Sequence, residues 1–410
     1  MHVLFLHPNF PAQFRHLATV IARSRDHRVV FVTARKEGSL PNVLKAVYAP
    51  ARPPTVGAHH YVQPLESAVL TAQAVFRVAE QLKARGFSPR LIYGHSGWGP
   101  TLFVQELFPQ AKLLCYFEWF YGSQGGDTDF DPSEPATVDH RAALRTRNAP
   151  ILMDLVQADR GLCPTAWQKQ QFPREFHAKL TTLHDGIDTD YFTPQPGTKL
   201  VIPRVGLNLS EASEVVTYVA RGMEPYRGFP QFIEAVALLQ QRRPHCHAVI
   251  VGEDRVAYGR QLPAGDSWKR RMLDKVQLDP ARVHFPGRLS YEELRQVYRA
   301  SSVHVYLTRP FVLSWSMLEA MAAGCALVAS ATAPVHEVIE DRQNGLLVDF
   351  FSPEQIAERV GQLLADPGQR AALGRAARET ILERYALSKL LPAQMRWMQA
   401  ALAHAPEDRR

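Results

Sequence analysis

Short apolar segments alternate with longer segments of helical periodicity along the whole chain, which predicts an α/β protein built on parallel sheets. Two further observations predict two domains. The 410 residues exceed the length at which a single core keeps growing. The alternation also restarts after residues 192–213, a proline-containing stretch without a clear period. We therefore expect a domain boundary near residue 195.

The elements can be placed from the periodicity of the apolar residues. In the first half, strands are predicted at residues 2–6, 28–33, 91–93, 112–117, 161–163 and 180–183, with the clearest helices at 67–85 and 136–156. In the second half, strands are predicted at 214–220, 248–252, 283–285, 303–307, 326–329 and 346–348, followed by helices over 367–403. The predicted domains are residues 1–195, residues 196–385, and a C-terminal helix, 386–410, that returns toward the first domain.

Composition argues against several classes of protein. With 46% hydrophobic and 21% charged residues, the chain has ordinary globular composition. No run approaches the roughly 18 apolar residues of a spanning helix. The N-terminal MHVLFLHPNF has no basic region before its short apolar run, so it predicts a first strand and not a signal peptide. The net charge of +7 is spread over both halves, so we expect no nucleic-acid partner; a weak peripheral contact with a lipid surface requires less charge.

The four cysteines are far apart in the sequence and form no pair with metal-ligand spacing. Three of them, Cys115, Cys163 and Cys325, lie in or beside apolar runs, which is typical of reduced, buried cysteines. These features predict a cytoplasmic protein, with any lipid contact at the inner face of the membrane.

One acidic loop resembles a calcium loop at its start. Asp127 and Asp129 have the right spacing, but Pro132 occupies the position that needs glycine and Val138 the position of the closing glutamate. We therefore predict no bound metal and no cofactor. A nicotinamide enzyme is also disfavoured, because the chain contains no GxGxxG.

The most informative stretch is RPFVLSWSMLEAMAAG, residues 309–324, which follows a predicted strand and opens a helix. This arrangement puts backbone N–H groups and the carboxylate of Glu319 at the mouth of a parallel sheet, where nucleotide phosphates and ribose usually bind. Two alternatives stay open. Ser316 and Glu319 have capping-box spacing, so Glu319 can cap its own helix, and Trp315 can pack in the core.

Several motifs in order give the second half a family resemblance. They are VARGMEPYRGF, VGED, VHFPGRLSYEEL, the stretch at 309–324, and VHEVIEDRQNGLLVD, with HDGIDTDYF before them. Together they resemble the donor domain of a family-4 glycosyltransferase of GT-B fold. The first half, with HPNFPAQFRHLA, GHSGWGP, YFEWFYG and FDPSEP, resembles a bacterial subgroup of that family.

This resemblance implies two Rossmann-like domains that face a cleft. It also implies the function of a transferase that moves a sugar from a nucleotide diphosphate donor to a hydroxyl of a glycan, a lipid-linked sugar or a protein glycan, with retention and without metal, as in polysaccharide biosynthesis. The nearest enzymatic rival is a GT-B epimerase or phosphorylase. A rival of another class is a partner protein that keeps the donor fold without turnover.

The resemblance also implies roles for particular residues. Arg221 and Arg227 would face the donor diphosphate and act in catalysis, although the family more often has lysine at the second position. Glu319 would accept hydrogen bonds from the ribose, and the remaining donor-binding residues would be Arg288, Ser314, Trp315 and Ser316. The alternative for the arginine pair is a solvated surface position.

Phe311 is the main departure from the family pattern, which has a carboxylate eight residues before Glu319. We interpret this as a subgroup that contacts its sugar in another way; repacked donor contacts and loss of catalysis are the alternatives.

The acceptor side is predicted in the first domain. His95 follows a strand and lies in a glycine-rich turn, where backbone can approach a ligand closely. It resembles histidines that face the sugar in this family and is a candidate catalytic residue, although a structural role is an equal alternative. Glu118, Tyr121 and Asp127 are further acceptor-side candidates.

Overall fold

A computed structural model describes residues 1–403 of the chain as two compact units. The first unit contains Met1–Asp185 and the chain from Lys389 onward, and the second contains Gly186–Ser388. Each unit has a parallel sheet, of seven strands in the first and six in the second, interleaved with helices. The predicted α/β fold class is therefore confirmed. The C-terminal end of the predicted helix 386–410, residues 404–410, lies outside the described residues.

The first unit is built around a sheet of strand order β3-β2-β1-β4-β5-β6-β7. Its strands are β1 (His2–Leu6), β2 (Arg28–Thr33), β3 (Val43–Val47), β4 (Leu91–His95), β5 (Lys112–Tyr116), β6 (Arg160–Cys163) and β7 (Leu180–Thr182). Its helices before residue 185 are α1 (Arg15–Ile21), α2 (Gln63–Ala84), α3 (Val104–Leu107), α4 (Val138–Arg147), α5 (Ala149–Gln157) and α6 (Ala166–Gln170).

The second unit has a sheet of order β12-β11-β10-β13-β14-β15 and a separate hairpin, β8-β9. Its strands are β8 (Leu200–Ile202), β9 (Leu207–Leu209), β10 (Glu214–Gly222), β11 (Cys246–Glu253), β12 (Val283–Gly287), β13 (Val303–Tyr306), β14 (Leu327–Ser330) and β15 (Leu346–Val348). The helices from here on are α7 (Phe229–Arg242), α8 (Trp268–Lys275), α9 (Tyr291–Ala300), α10 (Trp315–Ala322), α11 (Ala333–His336), α12 (Pro353–Ala365), α13 (Pro367–Arg384) and α14 (Leu387–Ala403).

The last helix, α14, packs on the sheet of the first unit. Trp397 lies in the same buried cluster as Val3 and Tyr93, and its ring centroid is 5.6 Å from that of Tyr93. The Trp397 indole N–H donates to Thr181 Oγ1 at 3.1 Å, and Gln394 Nε2 donates to the carbonyl of His184 at 2.9 Å. Burial of an aromatic ring together with these two hydrogen bonds makes α14 part of the first unit's core.

Three elements differ from the sequence-based expectation. The single helix expected over 136–156 is two helices, which meet at Asn148; its side chain accepts from the backbone N–H of Tyr121 and donates to its carbonyl. The stretch 192–213 contains the antiparallel hairpin β8-β9, whose leucines and isoleucine are buried. Strand β3 was missed because it is a half-exposed edge without a continuous apolar run.

The topology of each sheet marks one place for a ligand. In the first sheet, successive strands are added outward on one side from β1 and on the other side from β4, so the order reverses between these two neighbours. In the second sheet, the order reverses between β10 and β13. In open parallel sheets, ligands bind beyond the carboxyl ends of the strands at this switch point. Among the described residues, no helix is both long and apolar enough to cross a membrane.

Candidate functional site

In the second unit, the predicted arginine pair follows the switch-point strand β10, but the two side chains have different environments. Arg221, at the end of the strand, is exposed, and its Nη1 lies 3.4 Å from the hydroxyl of Tyr258. Arg227 ends a short 3₁₀ helix, Pro225–Arg227, and is only 6% exposed. The solvated alternative is therefore wrong for Arg227 and fits only Arg221.

The buried guanidinium of Arg227 ties the loop after β10 to the loop after β13. Its Nη1 donates to Thr308 Oγ1 at 2.7 Å, to the carbonyl of Val312 at 3.0 Å and to the hydroxyl of Tyr306 at 3.1 Å. The Arg227 carbonyl accepts from Tyr218 at 2.8 Å. A charge that is taken out of water needs such a set of acceptors to offset its lost hydration.

The same network extends to the start of α10. The Tyr306 hydroxyl, which accepts from Arg227, also accepts from the backbone N–H of Ser314 at 2.9 Å. Ser314 is the N-cap of α10, and its Oγ accepts from the N–H of Ser316 at 3.3 Å. Arg227 thereby fixes the helix terminus that the sequence predicts to face phosphates. Trp315 is half-buried and packs against the second unit's core, which supports the packing alternative for this residue.

Glu319 does not cap its own helix. It is the fifth residue of α10, and its carboxylate is 5% exposed. Oε1 accepts from the hydroxyl of Tyr291 at 3.0 Å, and Oε2 lies 3.5 Å from that of Tyr298. Burial raises the pKa of Glu319 to about 7, against the lowering effect of both tyrosines. The result is a buried acceptor group with only neutral donors around it.

Phe311 packs into an aromatic cluster, which we define as Tyr226, Tyr258 and Phe311. The Phe311 ring is 7% exposed and meets Tyr226 and Tyr258 edge-on, at centroid distances of 5.5 and 5.3 Å. Two guanidinium groups lie over this cluster, Arg227 at 5.2 Å from the Tyr258 ring and Arg309 at 5.1 Å from the Tyr226 ring. Where the family pattern has an anion, this chain has an apolar surface bordered by cations.

Three residues of this region were missed by the sequence analysis, namely Glu224, Tyr258 and Arg309. Glu224 is fully buried; its Oε2 accepts from the backbone N–H of Ala257, and its carboxylate also accepts from the backbone N–H of Tyr258. It therefore ties the loop that carries Tyr258 to the loop that carries both arginines. Burial raises the pKa of Glu224. The signal that could have found it is an acidic residue inside VARGMEPYRGF, surrounded by apolar neighbours.

Arg288, also predicted to bind the donor, is exposed and directly follows β12. It thus lies at the same edge of the second sheet as the loops after β11, β10 and β13, because all four strands are parallel neighbours. The predicted donor residues therefore share one edge, and Arg227, Ser314 and Ser316 also share a hydrogen-bond network.

In the first unit, three of the predicted acceptor-side residues line one cavity of about 240 Å³. His95, Glu118 and Tyr121 form part of its wall, together with Trp98 and Arg147. His95 is 3% exposed; its Nδ1 is 2.8 Å from the Ser96 carbonyl, and its Nε2 is 3.6 Å from Glu118 Oε2. The other oxygen of Glu118 accepts from Gln13 at 3.2 Å.

The chemistry of this cavity suits a hydroxyl-bearing ligand. Glu118 is half-buried and provides acceptor oxygens, the indole of Trp98 is 52% exposed, and the Arg147 guanidinium lies 4.0 Å from the centre of the Tyr121 ring. Asp127 is buried but is not among the lining residues of the cavity. No cluster of three metal-ligating side chains occurs within residues 1–403.

Two family models match the chain in sequence order. Residues 25–192 match the family described as "Glycosyl transferase family 4 group", and residues 204–380 match "Glycosyl transferases group 1". The first match lies in the first unit apart from its last seven residues, and the second match lies wholly in the second unit.

Individual proteins similar in sequence include two bacterial enzymes. A D-inositol 3-phosphate glycosyltransferase of Salinispora tropica is 30% identical over 207 residues, which are 48% of this chain and 42% of that protein. A GDP-mannose-dependent alpha-(1-6)-phosphatidylinositol monomannoside mannosyltransferase of Mycolicibacterium smegmatis is 29% identical over 226 residues, 51% of this chain and 53% of that protein. The chain thus spans about half the length of these relatives.

Solved structures show the fold over nearly the whole chain. Anabaena Alr3699/HepE, in complex with UDP-glucose, has a TM-score of 0.69 at 16% identity and covers 98% of this chain and 100% of its own. Sucrose-phosphate synthase from Thermosynechococcus elongatus has a TM-score of 0.72 at 17% identity, covering 98% and 99%. The predicted GT-B fold class, two Rossmann-like domains with parallel sheets, is confirmed.

Substitution of each arginine by alanine should separate their roles. Arg227→Ala leaves three acceptors inside the protein without their cationic donor. We therefore expect the free energy of unfolding to fall by about 1.5–3 kcal/mol, and activity to fall with it. Arg221→Ala removes an exposed charge, so we expect lower nucleotide diphosphate affinity and kcat/KM at an unchanged melting temperature. Thermal unfolding and steady-state kinetics measure both effects; equal stability losses in the two variants would contradict the division.

Glu319→Gln should change how stability depends on pH. The folded-state pKa of about 7 lies above the ordinary glutamate value of 4.5, so between these two pH values the folded protein holds a proton that the unfolded chain has released. The parent protein thus loses stability as the pH rises through this window. The glutamine variant does not, because its side chain does not titrate. In urea unfolding, we expect the free energy of unfolding of the parent to fall by about 2–3 kcal/mol between pH 4.5 and 8, relative to that of the variant.

The same variant tests contact with the ribose. If Glu319 accepts from the two ribose hydroxyls, the glutamine variant should bind UDP or GDP more weakly, by about 1.5–3 kcal/mol, and discriminate less against the 2′-deoxy nucleotide. Calorimetric titration measures both quantities. Unchanged affinity and unchanged ribose preference would remove Glu319 from the nucleotide pocket.

Phe311→Glu should lower activity in this chain. The carboxylate that the family pattern has at this position would enter a nearly dry site built from aromatic rings, at the cost of its hydration. Phe311→Leu keeps the site apolar and serves as the control, with a smaller expected loss. A glutamate variant that turns over its donor faster than the parent would refute this account of the departure.

Proposed function

We propose that this chain is a glycosyltransferase that moves a sugar from a nucleotide diphosphate donor to an acceptor hydroxyl. One observation carries the proposal: Arg221, which is exposed, and the start of α10 follow β10 and β13, the two strands that flank the switch point of the second sheet, and the loops after β11 and β12 lie at the same edge. This is the geometry that open α/β sheets use to bind nucleotides. The two family matches support the same assignment for the two halves.

The donor would be held by groups of different character. Arg221 is exposed, so its guanidinium is available to offset the charge that grows on the leaving diphosphate as the glycosidic bond breaks. Arg227 would act mainly by fixing the N-terminus of α10, whose backbone N–H groups would face the phosphates. Glu319 would accept from the ribose hydroxyls, with Tyr291 beside it.

The acceptor would bind in the cavity of the first unit beside His95, Glu118 and Tyr121. We propose that the sugar is transferred with retention, as the family resemblance implies, and that a donor phosphate oxygen takes the proton of the acceptor hydroxyl. This would explain why the chain needs no carboxylate nucleophile paired with an acid, as in glycosidases. The acceptor class follows the resemblance: a glycan, a lipid-linked sugar or a protein glycan.

The reaction would take place in the cytoplasm. The four cysteines, all free and buried, support a reducing compartment. The net charge of +7 supports a weak contact with the inner face of the membrane, where a lipid-linked acceptor would be found.

A second candidate is a partner protein that keeps the donor fold without turnover. The observation that favours it is Phe311, which is packed against Tyr226 and Tyr258 where the family pattern has a carboxylate. Such a protein would bind a nucleotide sugar and release no nucleoside diphosphate. A GT-B epimerase would instead convert the sugar of the donor without an acceptor. A GT-B phosphorylase would require free phosphate.

A panel of nucleotide sugars tests the proposal. A ligand that binds only the folded state raises the melting temperature, so a thermal-shift screen of UDP-, GDP-, ADP- and dTDP-sugars should single out one donor class. With that donor, we expect release of nucleoside diphosphate and attachment of the sugar to a saccharide acceptor. Chelator should leave the rate unchanged.

Each contradictory result has a separate meaning. Stabilisation without release of nucleoside diphosphate would favour the partner protein, and conversion of the sugar without transfer would favour the epimerase. Loss of activity in chelator, with rescue by one divalent ion, would overturn the metal-independent mechanism alone.

A further inference from the structure

A buried carboxylate in the first unit has no role in the reaction described so far. Asp154, on α5, is 0% exposed and accepts from Ser96 Oγ at 2.7 Å, from Thr101 Oγ1 at 2.8 Å and from the backbone N–H of Gly97. Gln157, one helical turn later, donates to the other carboxylate oxygen at 3.0 Å. Three of the four donors thus come from one short segment, residues 96–101, which we call the Asp154-anchored loop.

The loop fits closely against its surroundings. Gly99 has a φ of +100°, and a Cβ added there would lie 2.0 Å from the carbonyl oxygen of Ala68 on α2. The loop also joins β4 to α3 at the switch point of the first sheet. Glycine makes this close approach possible, but it also gives the chain more conformations to choose from. A fixed acceptor inside the loop selects one of them.

This loop forms one wall of the acceptor-side cavity. It begins directly after His95, whose Nδ1 is 2.8 Å from the carbonyl of Ser96, so the position of Ser96 determines how the imidazole is held. It also carries Trp98, whose ring centroid is 6.3 Å from that of His95. Asp154 itself is not among the residues that line the cavity. Any effect of Asp154 on a ligand there must pass through the loop.

The chemistry of the anchor fits this task. A carboxylate can accept several hydrogen bonds at once, and three donors from one segment hold that segment in a single arrangement. Burial raises the pKa of Asp154 to about 6, while the hydrogen bonds from Ser96, Thr101, Gln157 and Gly97 act in the opposite direction. A purely apolar contact would fill the same space without fixing the direction of the loop.

We propose that Asp154 is a positioning residue for the acceptor site, which holds His95 and Trp98 in their places by fixing the Asp154-anchored loop. This inference rests on the proposed function in one respect only, the assignment of the cavity to the acceptor. A structural contribution to the first unit alone would stabilise the fold without any specific effect on the loop.

The test compares Asp154→Asn with Asp159→Asn. Asp159 is a matched control, because it is a partly buried aspartate a few residues further along the chain that accepts from Leu113 N at 2.7 Å and from Lys112 Nζ at 3.2 Å, away from the loop. Hydrogen exchange of the backbone amides of residues 96–99 and 101 reports on the loop directly. We expect at least tenfold faster exchange there in the Asp154 variant and parent-like exchange in the Asp159 variant.

A functional measurement completes the test, using the nucleotide sugar selected by the panel. We expect at least tenfold slower release of nucleoside diphosphate by Asp154→Asn at saturating donor, with donor affinity within twofold of the parent. Thr101→Val, which removes one hydroxyl donor at nearly constant volume, should show the same pattern more weakly. It replaces the Asp154 variant if that protein does not fold.

The outcomes separate the two proposals. Unchanged loop exchange in both Asp154→Asn and Thr101→Val would overturn the positioning role, whatever the activity. Equal losses of activity in the Asp154 and Asp159 variants would overturn it as well, since they would reflect stability alone. If the parent releases no nucleoside diphosphate from any donor, the proposed function fails, while the exchange data still decide whether Asp154 anchors the loop.

Discussion

The candidate donor site depends on one buried cation. The guanidinium of Arg227 is almost fully removed from water and is stabilised by Tyr306, Thr308 and the Val312 carbonyl, all contributed by β13 and the loop that follows it. Because a buried charge without acceptors is very costly, this loop can adopt few other arrangements while Arg227 stays inside. The position of the α10 N-terminus follows from that constraint.

The remaining charges of the site are arranged around this cation in a consistent way. Arg221 stays in solvent, where it can meet an anion, whereas Glu319 is buried among tyrosine hydroxyls and its pKa is raised to about 7. Glu224 joins the two loops that carry the arginines and Tyr258. The aromatic cluster then occupies the place where the family pattern has a carboxylate. The first unit has a comparable arrangement with the opposite charge, in which the buried carboxylate of Asp154 fixes a loop.

The sequence predicted the fold class because the signal for parallel sheets is strong: largely buried strands such as β1 and β2 are nearly continuous apolar runs. It failed where the signal is short or where tertiary contacts decide. The hairpin β8-β9 has three-residue strands, and the break at Asn148 depends on hydrogen bonds to Tyr121, which no local pattern reveals. For the candidate site, the family resemblance pointed to Arg227 and the strand–helix layout to Glu319, but neither predicted that both side chains are buried. Asp154 gave no motif signal, and Glu224 lay unrecognised inside VARGMEPYRGF, because backbone groups and hydroxyls far away in the sequence are among their partners.

The proposed function requires that a nucleoside diphosphate binds at the switch point of the second sheet. The most direct measurement is a calorimetric titration of the parent protein with UDP and GDP, each compared with its free nucleoside. We expect one of the diphosphates to bind at one site per chain. We expect its free nucleoside to bind at least tenfold more weakly, because Arg221 and the N-terminus of α10 would recognise the phosphates. Absence of binding by every diphosphate, or equal affinity for diphosphate and nucleoside, would contradict it.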